Sequence, residues 1–390
     1  MISYFLWTGS PEIFSFGAIA LRWYGLLFAL GFLISQQILY HIYKTEGKPQ
    51  KDVDTLTVYM VVATILGARL GHVIFYQPEI IWENPMGVLL PIQLSPFRFT
   101  GFQGLASHGG AIGILFALWL YANYSIQLSA LWKKSAKVIT KRKLEGQSYF
   151  QVLDRIVILV ALTGCLIRLG NFFNSEIIGK PTDSPLGVVF VSPLKESIMK
   201  ERAQLTPVED VVVKRDEERQ SMGTGKVPVN VYLIFKSGVS EPEAINYIQG
   251  ELKYYMANLS EFYDEPFGQD IQFQISQDKD STYLAKVSTI ALARHPAQLY
   301  ESISCILLFI LLYAYWNRWK AALPPGRIFG VFLIILWSLR FAYEFLKENQ
   351  VSFEDKLPLN MGQILSIPLV IVGVIILIWS YRQSNQPTNK

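Results

Sequence analysis

Charge is what this 390-residue chain has least of. Only 17% of its residues are Asp, Glu, Lys or Arg, against roughly 25% in a soluble domain. With 51% hydrophobic residues and 14% aromatics, that deficit excludes an ordinary large soluble protein and points to a membrane protein. Cysteine is nearly absent too. Cys165 and Cys305 both lie in apolar runs, which excludes a disulfide framework and a CxxC metal site. The histidines, His41, His72, His108 and His295, are too scattered to form a metal motif, and no metal or organic cofactor is expected. A net charge of +4 gives no case for nucleic acid as a partner. The first twenty residues contain no Lys or Arg, so a signal peptide with a basic n-region is not expected.

What the chain does have is long apolar runs. Seven segments, near 17–40, 55–77, 105–125, 150–169, 298–316, 327–347 and 362–381, approach the roughly 20 residues needed to cross a bilayer. The fourth is the least regular, because Asp154 and Arg155 sit at one end and Arg168 at the other. Basic residues orient the set. The segments 41–54, 126–149, 317–327 and 382–390 together carry fourteen Lys and Arg, dominated by Lys133, Lys134, Lys137, Lys141, Arg142 and Lys143, whereas 1–16, 78–104 and 348–361 carry two. The basic face is expected to be cytoplasmic, with the N-terminus outside and the C-terminus inside. Residues 180–297 then lie outside and form a head. Val229–Phe235 and Ile271–Ile275 alternate like strands. Between them, 241–262 has helical spacing at Ile245, Ile248, Leu252 and Tyr255, with Ser240 as N-cap. The stretch 199–226, with the charge run 214–219, reads as an exposed, mobile loop. The fold class expected is therefore an all-α polytopic membrane protein of about seven transmembrane helices. An extracytoplasmic α/β head domain is inserted between helices four and five. The divisions are 1–179, 180–297 with an enlarged insert near 195–285, and 298–390.

Ionisable groups inside apolar segments are costly and face a bundle interior or an aqueous cavity. On this topology Tyr24, Arg69, His108, Arg168, Glu301, Arg340 and Glu344 all collect in the outer half of the membrane, and the inner halves are nearly bare by comparison. That is the pattern of one polar cavity opening toward the outer leaflet. Several arginines with few nearby carboxylates imply an anion, and the planar guanidinium suits phosphate; a phosphate at such depth is most simply a lipid head group. Each residue also has a plainer reading. Arg340 and Glu344 can pair at i, i+4, Arg69 can snorkel, Tyr24 can belong to an aromatic belt, and Gly109-Gly110 after His108 can serve close helix packing. Arg168 is harder to dismiss, since Asn171 and Asn174 recur at i+3 and i+6 and stack along one face.

These residues sit in segments that resemble the prolipoprotein diacylglyceryl transferase family. "RLGNFFNSEIIG" at 168–179 is similar to the family signature, "SHGGAIG" at 107–113 to its His-Gly-Gly segment, and "RHPAQLYES" at 294–302 to its His-Pro-Ser-Gln-Leu-Tyr-Glu segment. "RWYGLLFALGF" at 22–32, "GARLGHVIFY" at 67–76, "RFAYEF" at 340–345 and "MGQILSIP" at 361–368 also resemble family segments, in family order. Ala297 and Leu336 stand where the family usually has Ser and often Tyr. The resemblance implies transfer of a diacylglyceryl group from phosphatidylglycerol to the lipobox cysteine of a prolipoprotein signal peptide, forming a thioether and releasing glycerol-1-phosphate. It implies His108, Arg168 and Arg340 as catalytic, with His108 as base or thiolate organiser. It implies Tyr24, Arg69, Gly109, Asn171, Asn174, Glu176, Gly179, His295, Gln298, Tyr300, Glu301 and Glu344 as substrate-binding or ordering residues, in a bacterial inner membrane among its lipids. From the residues alone, an outward-facing transporter or flippase for anionic lipids, a membrane scaffold and another membrane lipid transferase stay open.

Overall fold

The computed structural model describes residues 4–16, 19–83, 85–88, 92–94, 97–99, 106–126, 139–142, 144–200, 206–220, 223–265, 268, 270–277, 282–348, 354 and 357–384. Lys133, Lys134, Lys137 and Lys143 of the basic cluster lie outside them. Each apolar segment folds as a helix: α1 (Trp23–Thr45), α2 (Gln50–Tyr76), α4 (Ser107–Asn123), α5 (Tyr149–Phe173), α9 (Ala297–Trp319), α10 (Arg327–Glu344) and α11 (Met361–Ser384). The others are short: α3 (Ile80–Glu83), α6 (Ser192–Lys200), α7 (Glu241–Tyr247) and α8 (Lys253–Asn258). Among the described residues five stretches, Trp23–Thr45, Gln50–Tyr76, Tyr149–Phe173, Ala297–Ala322 and Met361–Ser384, are long and apolar enough to cross a membrane. At 17 residues α4 is shorter, and α10 contains Arg327, Arg340 and Glu344. Ile112, Leu307 and Ile375 are exposed on their helices. Backbone groups satisfied within a helix, under an apolar outer face, are what a lipid solvent requires. The chain is a polytopic membrane protein.

The chain divides into two compact units, 1–30, 164–304 and 339–366 in the first, and 31–163, 305–338 and 367–390 in the second. The second unit is helical around a core that includes Ile42, Leu56, Leu118, Ile156, Leu312, Trp316 and Phe332. There α2 and α4 approach through glycine. A Cβ at Gly67 would lie 2.5 Å from Gly109 O, and one at Gly109 would lie 2.3 Å from Gly67 O. Close backbone approach of this kind lets helices associate where lipid removes the hydrophobic drive. The charges that made 150–169 irregular are absorbed here. Asp154 accepts hydrogen bonds from Gly326 N and Phe329 N, both at 2.8 Å, and so satisfies the orphan donors at the start of α10. Buried Arg155 donates from Nη2 to Glu46 Oε1 at 2.8 Å, and Trp316 Nε1 donates to the same oxygen at 2.7 Å. This buried polar cluster joins residues from three distant stretches of sequence.

The first unit contains a six-stranded sheet. Its strands are β1 (Phe5–Trp7), β8 (Val188–Phe190), β9 (Val208–Arg215), β10 (Lys226–Phe235), β11 (Gln272–Gln277) and β12 (Tyr283–Arg294). The order is β1-β8-β12-β10-β9, with β11 also on β12; β1 and β8 are parallel and the other pairs antiparallel. Alternation places Val227, Val229, Val231, Leu233 and Phe235 of β10 in the core. Both expected strands are present. The expected helix runs as α7, a π-turn at Ile248–Leu252, and α8, and Ser240 takes the N-cap position without a side-chain bond. Two expectations are overturned. Residues 208–215 are a strand rather than a loop, because Val208, Val211 and Val213 reach the core across a register shift. The charge run is also tied down, with Arg219 donating to Asp216 Oδ2 at 2.6 Å and to Val229 O and Thr289 O at 3.2 Å. Ahead of α1, residues 19–22 are not helical but form β3 (Ile19–Arg22), paired with β2 (Glu12–Phe16), and β4 (Ile92–Leu94) with β5 (Phe97–Phe99) and β6 (Tyr124–Ile126) with β7 (Ile139–Lys141) form further two-stranded pairs.

The glycine contact predicts a contrast. Gly67→Val should cost about 1–3 kcal/mol by overpacking. Gly110→Ala, whose Cβ would meet its nearest atom at 3.6 Å, should change little. Thermal unfolding in detergent measures both.

Candidate functional site

The first unit brings together Tyr24, Arg168, Asn171, Asn174, Glu176, Gly179, His295, Gln298, Tyr300, Glu301, Arg340 and Glu344. α5 ends at Phe173, not beyond it, so Asn174 leaves the helix instead of stacking below Asn171. Both amides instead turn to one carboxylate: Asn171 Nδ2 donates to Glu176 Oε2 and Asn174 Nδ2 to Glu176 Oε1, each at 3.2 Å. The turn that allows this is unusual. Ser175 and Ile177, on either side of Glu176, both have φ 55°, a left-handed conformation that is a genuine outlier for a β-branched residue. It is anchored downstream. Gly179 N donates to His295 O at 2.9 Å, and a Cβ at Gly179 would lie 2.7 Å from both His295 Cβ and His295 O. Gly170, in the same motif, leaves room for Tyr24, whose Cα would lie 3.0 Å from an added Cβ.

The arginines come with carboxylates, which corrects the expectation that few lie near. Arg168 Nε lies 2.6 Å from Glu301 Oε2, and Arg340 Nε lies 3.8 Å from Glu344 Oε1. Lys347, which sequence reasoning passed over, contacts Glu301 Oε1 closely and lies 3.3 Å from Glu344 Oε1. Asn360 Nδ2 donates to Glu344 Oε2 at 3.2 Å, and Gly362 clears the space that the Glu344 carboxyl fills. Arg294, also passed over, is buried and donates from Nη1 to Gly179 O at 3.1 Å and to Glu348 Oε1 at 2.7 Å. A charged residue three places after Glu344 was the available signal for Lys347.

Other acceptors have no donor. Gln298 Nε2 donates to Glu176 O, which fixes that amide as the Glu176 carboxylate fixes the two asparagines. Asn171 Oδ1, Asn174 Oδ1 and Gln298 Oε1 are thereby turned inward, and among the described residues none of these buried oxygens has a protein donor. Buried polar atoms are normally satisfied, so this cluster is suited to a ligand that brings hydroxyl or N–H groups. His295 Nδ1 lies 3.3 Å from Tyr300 OH, and burial pushes the His295 pKa below its ordinary 6.5.

Arg69, His108 and Gly109 belong to the second unit. Arg69 Nε donates to Val88 O at 3.2 Å. His108 is exposed in the first turn of α4. Gly109 is packed on Gly67 and Gly71, which gives it a packing role whatever else it does. Among the described residues, no group of three or more His, Cys, Asp or Glu is arranged to hold a metal ion.

Fold and site together describe a membrane protein with a cluster of buried ion pairs and unmatched amide oxygens in its first unit. The chain belongs to the prolipoprotein diacylglyceryl transferase family, whose profile matches residues 11–379. It is 30% identical over 383 residues to the phosphatidylglycerol–prolipoprotein diacylglyceryl transferase of Chloroherpeton thalassium, covering 98% of this chain and 96% of that one. It is 29% identical to the enzymes of the same name from Bacteroides fragilis, over 94% and 92% of the two chains, and Tolumonas auensis, over 97% and 98%. Matches of that extent include the head, 195–285 among it. The chain is a transferase of lipoprotein maturation, and the transporter and scaffold readings fall away.

The lowered His295 pKa has a consequence with a definite sign. The unfolded chain takes the proton first, so this contribution to stability is full above about pH 6.5 and declines as the pH falls through that value. His295→Gln should flatten the decline of the thermal midpoint between about pH 7 and pH 5. An unchanged slope would assign the decline to other groups.

Proposed function

We propose that the first unit binds the head group of phosphatidylglycerol, with Arg168 and Arg340 on the phosphate, and that the diacylglyceryl group passes from there to the lipobox cysteine. The observation that carries this is the pair of arginines set beside carboxylates, Arg168 Nε 2.6 Å from Glu301 and Arg340 Nε 3.8 Å from Glu344, since a planar guanidinium suits phosphate. The unpartnered oxygens of Asn171, Asn174 and Gln298 suit the two hydroxyls of the terminal glycerol. Tyr24, His295 and Tyr300 line or order the site, and Gly179 lets the 174–179 turn close against His295.

The nucleophile is the substrate's own thiolate, so the enzyme needs no reactive cysteine. A free thiol has a pKa of about 8.5, and nearby cations or a base favour its ionised form. His108 takes the proton or organises the thiolate; this role rests on the family likeness of 107–113, and the substrate-binding roles of Arg69 and Gly109 rest on family likeness alone. The thiolate sulfur attacks the glyceryl carbon that carries the phosphate, the carbon–oxygen bond breaks, and glycerol-1-phosphate leaves. Arginines fixed before the reaction stabilise the charge that gathers on the departing phosphate. Excluding water protects the thiol from a competing nucleophile. The orientation that fits is seven spans in an inner membrane, N-terminus outside and C-terminus cytoplasmic, where an outer-leaflet lipid and a translocated signal peptide both arrive.

The test is transfer of labelled diacylglyceryl from phosphatidylglycerol vesicles to a lipobox peptide. Arg168→Ala and Arg340→Ala should each lower turnover by about 10²–10³-fold, the size of a lost charge-stabilising donor, with folded protein retained. Near-normal rates in both would refute the phosphate assignment. His108→Gln that is fully active from about pH 6 to 9 would remove the base role.

A further inference from the structure

Gly179 closes the left-handed turn, and two consecutive residues grip it at both backbone groups. Its N donates to His295 O at 2.9 Å, and its O accepts from Arg294 Nη1 at 3.1 Å. Arg294 is the last residue of β12, and its side chain is 3% exposed. The same guanidinium reaches two further segments. Nε donates to Glu261 O, shortly after α8, and Nη1 also donates to Glu348 Oε1 at 2.7 Å, beyond α10. The chain around Glu261 is itself fixed, since Leu292 N donates to Phe262 O at 2.8 Å and Tyr263 bridges Ala291. One side chain thus joins the turn, the head and the segment that follows α10.

We propose that Arg294 is a positioning residue of the transferase, holding the 174–179 turn in the conformation that presents Asn171 and Asn174 to the lipid head group. The inference rests on the binding role proposed for those two amides. Backbone held in a sparsely populated region persists only where its surroundings over-determine it. Ser175 and Ile177 are held in this way, both at φ 55°. Upstream, Glu176 N donates to Asn171 O at 3.0 Å; downstream, Gly179 is engaged through N and O together. Arginine suits the task because its N–H groups sit in a fixed fork that serves several acceptors at once, whereas a lysine ammonium is a point donor on a flexible stem. The Glu348 side chain is 45% exposed, so water weakens that ion pair and the buried carbonyl contacts fix the turn. Through Glu261 the head braces the turn.

The test uses the full-length protein in two measurements: hydrogen exchange in detergent, and transfer from labelled phosphatidylglycerol vesicles to a lipobox peptide. Arg294→Lys keeps the buried charge but not the fork, and it serves where Arg294→Met does not accumulate. Exchange across 174–179 should quicken by about 10-fold while β10 and β12 stay protected, as for a local opening. KM for the lipid should rise by about 10-fold at nearly unchanged kcat, the mark of lost uniform binding. A merely structural role would instead loosen β10 and β12 as well and lower the active fraction at unchanged KM. Glu348→Gln keeps both carbonyl contacts and should leave both readouts near wild type; an effect as large as that of Arg294→Lys would overturn the inference. So would Arg294→Lys with unchanged exchange across 174–179 or unchanged lipid KM. Asn171→Ala separates this from the reading beneath it. If it raises lipid KM and Arg294→Lys does not, the positioning role fails alone. If Asn171→Ala leaves lipid KM unchanged, the binding role of the amides fails and takes the inference with it.

Discussion

Sharing of the Glu301 carboxylate between two cations organises the first unit. Glu301 lies near the start of α9, Arg168 near the end of α5, and Lys347 just past α10. A buried ion costs several kcal/mol to desolvate unless it is paired and hydrogen-bonded. None of these groups is tolerable there alone, so the three segments must meet. The same constraint explains why Gly179, Arg294 and Asn360 are drawn in: they fix the backbone and the remaining carboxylate oxygens that the ion pairs leave over.

The two units use buried polarity to different ends. In the second, Asp154 caps α10 and Glu46 accepts from both Arg155 and Trp316; the cluster joins helices. In the first, the amide nitrogens are engaged while buried oxygens of Asn171, Asn174 and Gln298 wait for donors. A satisfied network rigidifies a core, and a partly satisfied one is costly unless something else completes it. That contrast separates a closed polar cluster from an open one without reference to family.

Much of this was legible in the sequence, for reasons of solvent. The apolar runs fold as helices, five of them among the described residues long and apolar enough to cross a membrane, and the ends moved by only a few residues except at α1. There Ile19–Arg22 continues the apolar run yet pairs as a strand; hydropathy cannot distinguish the two over so short a stretch. Residues 208–215 were missed because the charged side chains after Val213 masked the alternation before it. Asn171, Glu176, Glu301 and Glu344 were readable from motif and spacing. Arg294 was not, since its partners Gly179 and Glu348 lie far away in the chain, and for Lys347 only the i, i+3 spacing to Glu344 was readable, not the contact with Glu301.

The turn around Glu176 shows where the energy for this arrangement is spent. Two successive non-glycine excursions into the left-handed region, at Ser175 and Ile177, cost on the order of 1–3 kcal/mol each, and packing at Gly179 and His295 holds them. The expense falls during biogenesis, once per molecule. In the folded protein Glu176 and its asparagines therefore stand in place, with no loop left to order.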